Sequence, residues 1–323
     1  MDTAKTLVLP PSNTHPDLGA GSIFFVGNAT VILRYAGFTI LTDPNFLHKG
    51  DHVHLGFGLR SARLTDPALD LDDLPPIDLV VLSHLHEDHF DRLVEEQLDK
   101  DLPIVTTPQA TIGLRAKGFR ALHAIGTWET FTAVKGAARL DITAMPGRHG
   151  PGPLTALLPS VMGSMLEFRP IDDTIEGTPP GEPTLRIYLT GDTLIHDALR
   201  AIPARYPAID LALLHLGGTR ILGVTLTMDA AQGVEMLRIV APRRAIPIHY
   251  EEYTVMRSPL DDFKRAVEEA GFADRVDYLD HGDTYEFTVP AERVPAGTSA
   301  GQAIARLGRL LAGISGKTAR LGR

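Results

Sequence analysis

The segment "SHLHEDHFD" (residues 83–91) decides the fold, because it gathers three histidines and three acidic residues directly behind the apolar run "LVVL" (residues 79–82). A buried strand tolerates almost no charge, since moving an unpaired ionised group out of water is costly. An apolar run that ends in so polar a cluster indicates a core strand that delivers the following residues to a functional site.

Three further apolar runs lead to residues of the same kind. The runs in "DITAMPGRHG", "RIYLTGD" and "RAIPIH" lead to His149, Asp192 and His249. The carboxyl ends of strands in open α/β sheets line the crevices that bind ligands. We therefore expect these three residues and His84 to meet at one site.

The spacing within residues 84–89 is typical of a metal site. His84 and His86 are two residues apart, so both side chains point to the same side of an extended segment. Asp88 and His89 follow after a turn and can address a second point. Imidazole and carboxylate bind Zn²⁺ and similar ions at about 2.0–2.2 Å, and a bridging carboxylate allows such a set to hold two ions. We predict two divalent ions and expect zinc, although this ligand set also admits Mn²⁺ or Fe²⁺.

The composition narrows the class of protein. The 323 residues are 44% hydrophobic and 22% charged, which is typical of a globular chain. The net charge of −9 argues against a nucleic-acid partner, and the absence of cysteine excludes thiolate ligands. The N-terminal "MDTAKTLVLPPSNTHPD" lacks the apolar stretch of a signal peptide. These features predict a cytoplasmic enzyme. The expected partner is a small-molecule or lipid-like substrate bound at the site, and a homo-oligomer is left open.

The order of apolar runs predicts an α/β layered fold. The runs "SIFFVG", "TVILRY" and "FTILTD" crowd residues 22–43, which leaves room for hairpins but not for helices. Helical periodicity follows later in "DRLVEEQLDK", "MDAAQGVEMLRIV" and "DDFKRAVEEAG". We predict two packed sheets with helices outside, in one domain over residues 1–290.

The segment 291–323 differs in character, since it is basic and rich in Gly and Ala. Apolar residues recur at helical spacing between Ile304 and Ile314, with Arg306 and Arg309 among them. An amphipathic helix of this kind either contacts a membrane surface or docks onto the chain's own domain or a partner subunit.

The motif "HLHEDH" (residues 84–89) matches the H-x-H-x-D-H signature of the metallo-β-lactamase superfamily, and the three downstream residues follow in that superfamily's order. The resemblance covers about residues 20–290 and implies an αββα sandwich of two mixed sheets with external helices. It implies that Asp192 bridges two metals and that Glu87, at the variable position of the motif, is not a ligand. The implied ligands are His84, His86 and His149 for one metal, and Asp88, His89 and His249 for the other.

Longer stretches resemble one branch of that superfamily. "LTDPNF" (residues 41–46) and "LTMDAAQGVEMLRIVAPRRAIPIHYEEY" (residues 226–253) are similar to N-acyl-phosphatidylethanolamine phospholipase D and ascorbate-6-phosphate lactonase. The resemblance implies that Asp43 orients a metal ligand. His215, at the end of a further apolar run, either reaches the pocket or is a hydrogen-bonded core residue.

The site predicts hydrolysis of an ester-like bond by a metal-bridged hydroxide. Asp192 would position this nucleophile and Asp88 would move its proton. A phosphodiester is the expected substrate, because Arg60, Arg63, Arg148 and Arg220 are available to bind phosphate. The alternatives are a lactone or carboxylic ester, and a non-catalytic metal-binding sensor of the same fold.

Overall fold

The computed structural model describes residues 6–11, 17–55, 58–171 and 181–294. The strands are β1 (Thr6–Leu9), β2 (Ala20–Gly27), β3 (Thr30–Tyr35), β4 (Phe38–Thr42), β5 (His52–His54), β6 (Arg60–Ala62), β7 (Leu79–Val81), β8 (Ile104–Thr106), β9 (Leu122–Ala124), β10 (Thr130–Lys135), β11 (Ala138–Pro146), β12 (Met162–Pro170), β13 (Leu185–Leu189), β14 (Leu211–His215), β15 (Arg220–Ile221), β16 (Val224–Thr225), β17 (Arg244–Ile248) and β18 (Thr284–Thr288). The α-helices are α1 (Arg92–Gln97), α2 (Pro108–Ala116), α3 (Ile202–Arg205), α4 (Ala230–Val240) and α5 (Leu260–Glu269).

Two seven-stranded sheets are built from these strands. The first has the order β18-β2-β3-β4-β7-β8-β9, and the second has the order β1-β10-β11-β12-β13-β14-β17. Both sheets are mixed: β2, β3 and β4 pair antiparallel as the hairpin spacing predicted, whereas β4, β7, β8 and β9 run parallel. In the second sheet β13, β14 and β17 are parallel. The parallel strands of each sheet therefore deliver their carboxyl ends to one edge.

Side-chain alternation along the strands creates three apolar layers. In β7, Leu79 and Val81 face the core between the sheets, whereas Val80 faces α1 and α2. In β14, Leu211 and Leu213 face the same central core, and Ala212 packs toward α4 and α5. A strand buried on both faces reads as a continuous apolar run, which is why these segments showed no polar alternation.

The packing confirms the predicted fold class, with helices outside two mixed sheets. The helices α1, α4 and α5 occupy the three stretches where helical periodicity was found. Helix α2 was not predicted, since its sequence "PQATIGLRA" is weakly amphipathic. Its start carries a signal nonetheless, because the Thr107 hydroxyl caps the helix and Pro108 opens it.

One prediction concerns a segment outside these elements. The proposed amphipathic helix of the C-terminal segment lies outside the described residues. None of the helices in residues 6–11, 17–55, 58–171 and 181–294 is long and apolar enough to cross a bilayer.

Candidate metal centre

The candidate ligands all follow the carboxyl ends of strands. The motif of residues 84–89 comes after β7, and His149 comes after β11. Asp192 follows β13, and His249 follows β17 directly. The predicted convergence is present, because these side chains form two adjacent groups in which the ligand atoms lie within 4.8 Å of one another.

Unusual backbone conformations aim these side chains at one point. Asp43 and His249 have φ of +34° and +60°, values that side-chain-bearing residues rarely adopt. Gly191 has φ of +61°, and a Cβ on it would lie 2.5 Å from the Met162 carbonyl oxygen. Strain of this kind persists where the surrounding structure fixes it, which is common at functional sites.

The first group consists of His84, His86 and His149. His84 Nε2 lies 3.0 Å from His86 Nδ1. This separation is close to the distance of about 3.3 Å expected between two ligand atoms of a tetrahedral zinc site. The other ring nitrogens have acceptors: His149 Nδ1 donates to the Leu226 carbonyl at 3.2 Å, and His84 Nδ1 to Ser83 Oγ at 3.0 Å. Both rings therefore present an unprotonated Nε2 to the group.

The second group consists of Asp88, His89, Asp192 and His249. His89 Nε2 lies 3.3 Å from Asp192 Oδ2, and His249 Nε2 lies 3.6 Å from Asp88 Oδ2. Within the described part of the chain, His89 Nε2, His249 Nε2 and Asp192 Oδ1 are buried without a hydrogen-bond partner. Buried polar atoms are nearly always satisfied, so this convergence of unsatisfied atoms fits a divalent cation. The ring centroids of His84 and His89 are 4.2 Å apart, which places the two groups side by side.

Burial and charge set the protonation of the first group. Burial lowers the pKa of His84 well below its ordinary value, and the neighbouring charges of His89 and His86 lower it further. Burial likewise lowers the pKa of His86 to about 4 and lowers the pKa of His149. These imidazoles are neutral at pH 7, which is the form that binds metal.

The second group is dominated by carboxylates. Burial alone would lower the pKa of His89, but Asp192, Asp88 and Asp43 together raise it well above the ordinary value. Burial alone would raise the pKa of Asp192, but His249 and His89 bring it well below its usual range. The carboxylates thus attract positive charge to this point, and a bound dication would replace the His89 proton with a stronger counter-charge.

Asp43 supports the second group from behind. Its Oδ1 accepts from the Ser83 amide at 2.6 Å, and its Oδ2 accepts from Ser83 Oγ at 2.8 Å. The same Oδ2 accepts from His89 Nδ1 at 3.0 Å and from His215 Nε2 at 3.3 Å. A carboxylate that accepts from the far nitrogen of a histidine fixes its tautomer, so that Nε2 is left free to bind metal.

Asp43, His89 and His215 are also close enough to form a third metal group. Their hydrogen bonds argue against it, because the Asp43 carboxylate already accepts four of them. His215 is satisfied at both ring nitrogens, since Nδ1 lies 3.2 Å from the Thr190 hydroxyl. His215 is thus a buried, hydrogen-bonded residue that also contacts the site through Asp43, so both alternatives predicted for it hold in part.

Several polar side chains that hold the motif gave no signal in the sequence. Asn28 Nδ2 donates to the Asp88 carbonyl at 2.6 Å, and Asn45 Nδ2 donates to the Glu87 carbonyl at 3.1 Å. Asp91, inside the quoted segment, caps α1 through the amides of Leu93 and Val94 at 2.8 and 3.0 Å. Asp91, the last residue of the quoted segment, therefore stabilises the fold of the loop between β7 and α1.

The remaining predicted residues lie around the centre. Glu87 accepts from His54 Nδ1 at 2.8 Å and belongs to neither ligand group. Arg60 and Arg220 are exposed on β6 and β15. Arg148 is half-buried, and its Nη2 donates to the Ile195 carbonyl at 3.3 Å. Arg63 is buried and pairs with Glu252, so it is not available to a substrate. Of the four arginines, Arg148 alone adjoins a candidate ligand in the chain.

Two mixed sheets with histidine and aspartate clusters at their carboxyl edge define a hydrolase of the metallo-β-lactamase fold. A family model described as "Beta-lactamase superfamily domain" matches residues 39–250. The chain belongs to this superfamily, and the prediction of a metal-dependent hydrolase is confirmed. The narrower resemblance to the phospholipase D and lactonase branch stays a prediction.

Curated relatives share the name UPF0173. The chain is 28% identical over 215 residues to a UPF0173 metal-dependent hydrolase of Ignicoccus hospitalis, a match covering 65% of this chain and 79% of the relative. It is 24% identical over 274 residues to the UPF0173 protein YddR of Bacillus subtilis, which covers 81% and 98% respectively.

Solved structures share the fold. An isothiocyanate hydrolase from Delia radicum gut bacteria superposes with a TM-score of 0.68 at 23% identity, covering 83% of this chain and all of that one. A possible metal-dependent hydrolase from Veillonella parvula superposes with a TM-score of 0.67 at 22% identity, covering 82% and 98%.

Proposed function

We propose that the protein is a dinuclear metal-dependent hydrolase, and that its substrate is a phosphodiester. One ion is held by His84, His86 and His149. The other is held by Asp88, His89 and His249, and Asp192 contributes to both. The convergence of buried, unsatisfied His89 Nε2, His249 Nε2 and Asp192 Oδ1 supports the site most directly. The charge of Asp192 also acts on His84, which supports a shared position.

Asp192 and Asp88 differ in exposure, and we assign them different roles in hydrolysis. Divalent ions held here would lower the pKa of a bound water and would polarise the oxygen of the scissile bond. Asp192 has 3% of its side chain exposed and serves as a buried ligand. Asp88 has 12% of its side chain exposed and is the carboxylate that would accept the proton released in hydrolysis. Burial would raise the pKa of Asp88, but the neighbouring His89 and His249 lower it, so Asp88 is ionised.

The preference for a phosphodiester depends on Arg148. Its backbone amide donates to Thr193 Oγ1 at 2.9 Å, which fixes the chain next to His149. Within the described residues its guanidinium donates only to the Ile195 carbonyl, through Nη2, so the group retains donor capacity. Two non-bridging phosphate oxygens can use such donors, whereas an uncharged lactone offers no anion.

Metal content tests the centre. Protein purified in zinc-containing buffer should hold close to two zinc ions per chain by elemental analysis. A chain that binds no metal under these conditions would refute the dinuclear site.

A substrate panel tests the preference. Arg148→Ala should lower kcat/KM for bis-p-nitrophenyl phosphate by about 5- to 100-fold, as expected for a charge-assisted hydrogen bond. The same variant should leave hydrolysis of an uncharged lactone nearly unchanged. Arg200→Ala is the matched control, since Arg200 is exposed and pairs with Glu235 at 3.3 Å. Equal losses on both substrates would refute phosphate recognition, and turnover of lactones alone would favour a lactonase.

A further inference from the structure

The two loops that carry the ligands of the second group are joined behind the site by buried side chains. Tyr253 lies four residues after His249, and its hydroxyl donates to Asn45 Oδ1 at 2.8 Å. Asn45 Nδ2 in turn donates to the carbonyl of Glu87 at 3.1 Å. Glu87 immediately precedes Asp88. The contacts therefore form a bridge from the loop of His249 to the loop of Asp88 and His89.

The bridge is closed to water and braced by an ion pair. Tyr253 is 1% exposed and Asn45 is fully buried. Arg63, also 1% exposed, places Nη1 3.5 Å from both the Tyr253 hydroxyl and the Asn45 carbonyl oxygen. Its Nη2 pairs with Glu252 at 3.3 Å, and His281 pairs with the other oxygen of that carboxylate. A buried network with this many partners has little freedom to shift.

A second tie joins the same two loops. Asn28 Nδ2 donates to the Asp88 carbonyl at 2.6 Å, and the Asn28 carbonyl accepts from the His249 amide at 2.8 Å. The first ligand group is held differently, since His84 and His149 donate to Ser83 and to the Leu226 carbonyl. The bridge therefore acts on the spacing between Asp88 or His89 and His249.

We propose that Tyr253 and Asn45 are positioning residues that set the affinity for the metal of the second group. The inference rests on the proposed dinuclear centre. It states that the ligands of the two ions are positioned by different residues. Outer partners of metal ligands typically change metal affinity by about 10- to 100-fold when they are removed.

The test compares two variants that each lose one buried tyrosine hydroxyl. Tyr253→Phe breaks the bridge. Tyr35→Phe is the control, because the Tyr35 hydroxyl contacts the Leu18 carbonyl at 2.8 Å and Thr184 Oγ1 at 3.0 Å, away from the ligand loops. Zinc affinity is measured by competition with a chromophoric chelator, and the Tm of the metal-free protein is measured alongside. Both variants should lose Tm, but only Tyr253→Phe should weaken the second zinc, by about 10-fold, with the first unchanged.

A second variant covers the case in which Tyr253→Phe does not fold. Asn45→Asp keeps an acceptor for Tyr253 but cannot donate to the Glu87 carbonyl, so it should show the same selective loss. Wild-type affinity for both zinc ions in either folded variant would overturn the inference. A wild-type chain that binds fewer than two zinc ions would overturn the proposed centre and the inference with it.

Discussion

Asp43→Asn is the sharpest perturbation of the centre, because it changes one atom and reverses a hydrogen bond. The variant's amide must keep its oxygen toward the Ser83 amide, which donates at 2.6 Å. Its NH₂ then faces His89 Nδ1, which lies 3.0 Å from Oδ2 in the wild type. His89 must accept at Nδ1, so its proton moves to Nε2, the nitrogen that faces Asp192 at 3.3 Å. A protonated Nε2 cannot bind metal.

The expected loss is about 10- to 100-fold in affinity for the second zinc, or about 1.4–2.7 kcal/mol. Chelator competition measures it directly, without reliance on substrate. Asp141→Asn is the matched control: Asp141 is a buried carboxylate on β11 that accepts from Thr132 Oγ1 at 2.7 Å and Arg169 Nη1 at 2.8 Å. The control should lose stability but keep zinc affinity. Wild-type zinc affinity in Asp43→Asn would refute the assignment of the His89 tautomer.

Three further outcomes are expected. Asp192→Ala should reduce hydrolysis by about 10³-fold or more while circular dichroism shows an intact fold, and near-wild-type turnover would show that Asp192 is not part of the centre. Zinc at about 1,000 times its Kd should raise the free energy of unfolding by about 4 kcal/mol in denaturant titrations, whereas an unchanged midpoint would mean that the folded chain does not bind it preferentially. Burial lowers the pKa of His281, but its hydrogen bond to Glu252 raises it more, to a net increase. The His281–Glu252 pair therefore stabilises the folded state fully below the ordinary histidine pKa of about 6.5, and this stabilisation is lost as pH rises through the raised pKa. Between pH 6 and 9 the wild type should lose more unfolding free energy than His281→Gln, and parallel curves would contradict the pairing.

The residues of the two ligand groups could be predicted from the sequence, because the signal that marks them lies in neighbouring residues of the chain. A strand buried on both faces is apolar throughout, so the first ionisable residue after it stands out, as His84 and His249 do. Helix α2 was missed for the converse reason. Its residues Pro108–Ala116 bury only part of one face, and its cap at Thr107 looks like a turn without the packing that follows it.

The supports of the centre could not be predicted, because they join residues far apart in the chain. Asn45 contacts Glu87 and Tyr253, which are 42 and 208 residues away. An asparagine or tyrosine has no spacing signature, since each serves equally well as a turn or core residue. His281 could not be recognised from the sequence for the same reason, because its partner Glu252 becomes a neighbour only in the fold.

The balance of charge in the centre couples metal binding to the stability of the folded chain. Asp43, Asp88 and Asp192 are buried around His89, with 2%, 9% and 2% of each residue exposed. At most two histidines of the second group, His89 and His249, have a raised pKa and can offset them by holding a proton. Three buried carboxylates against two imidazolium groups leave a net negative charge in a medium of low dielectric constant, which is costly. With both imidazoles neutral, one divalent ion only replaces the charge of the two lost protons, whereas the two ions of the proposed centre together remove the excess. Metal binding should therefore release protons near neutral pH, and an absence of proton release in weakly buffered zinc titrations would show that His89 and His249 are already neutral.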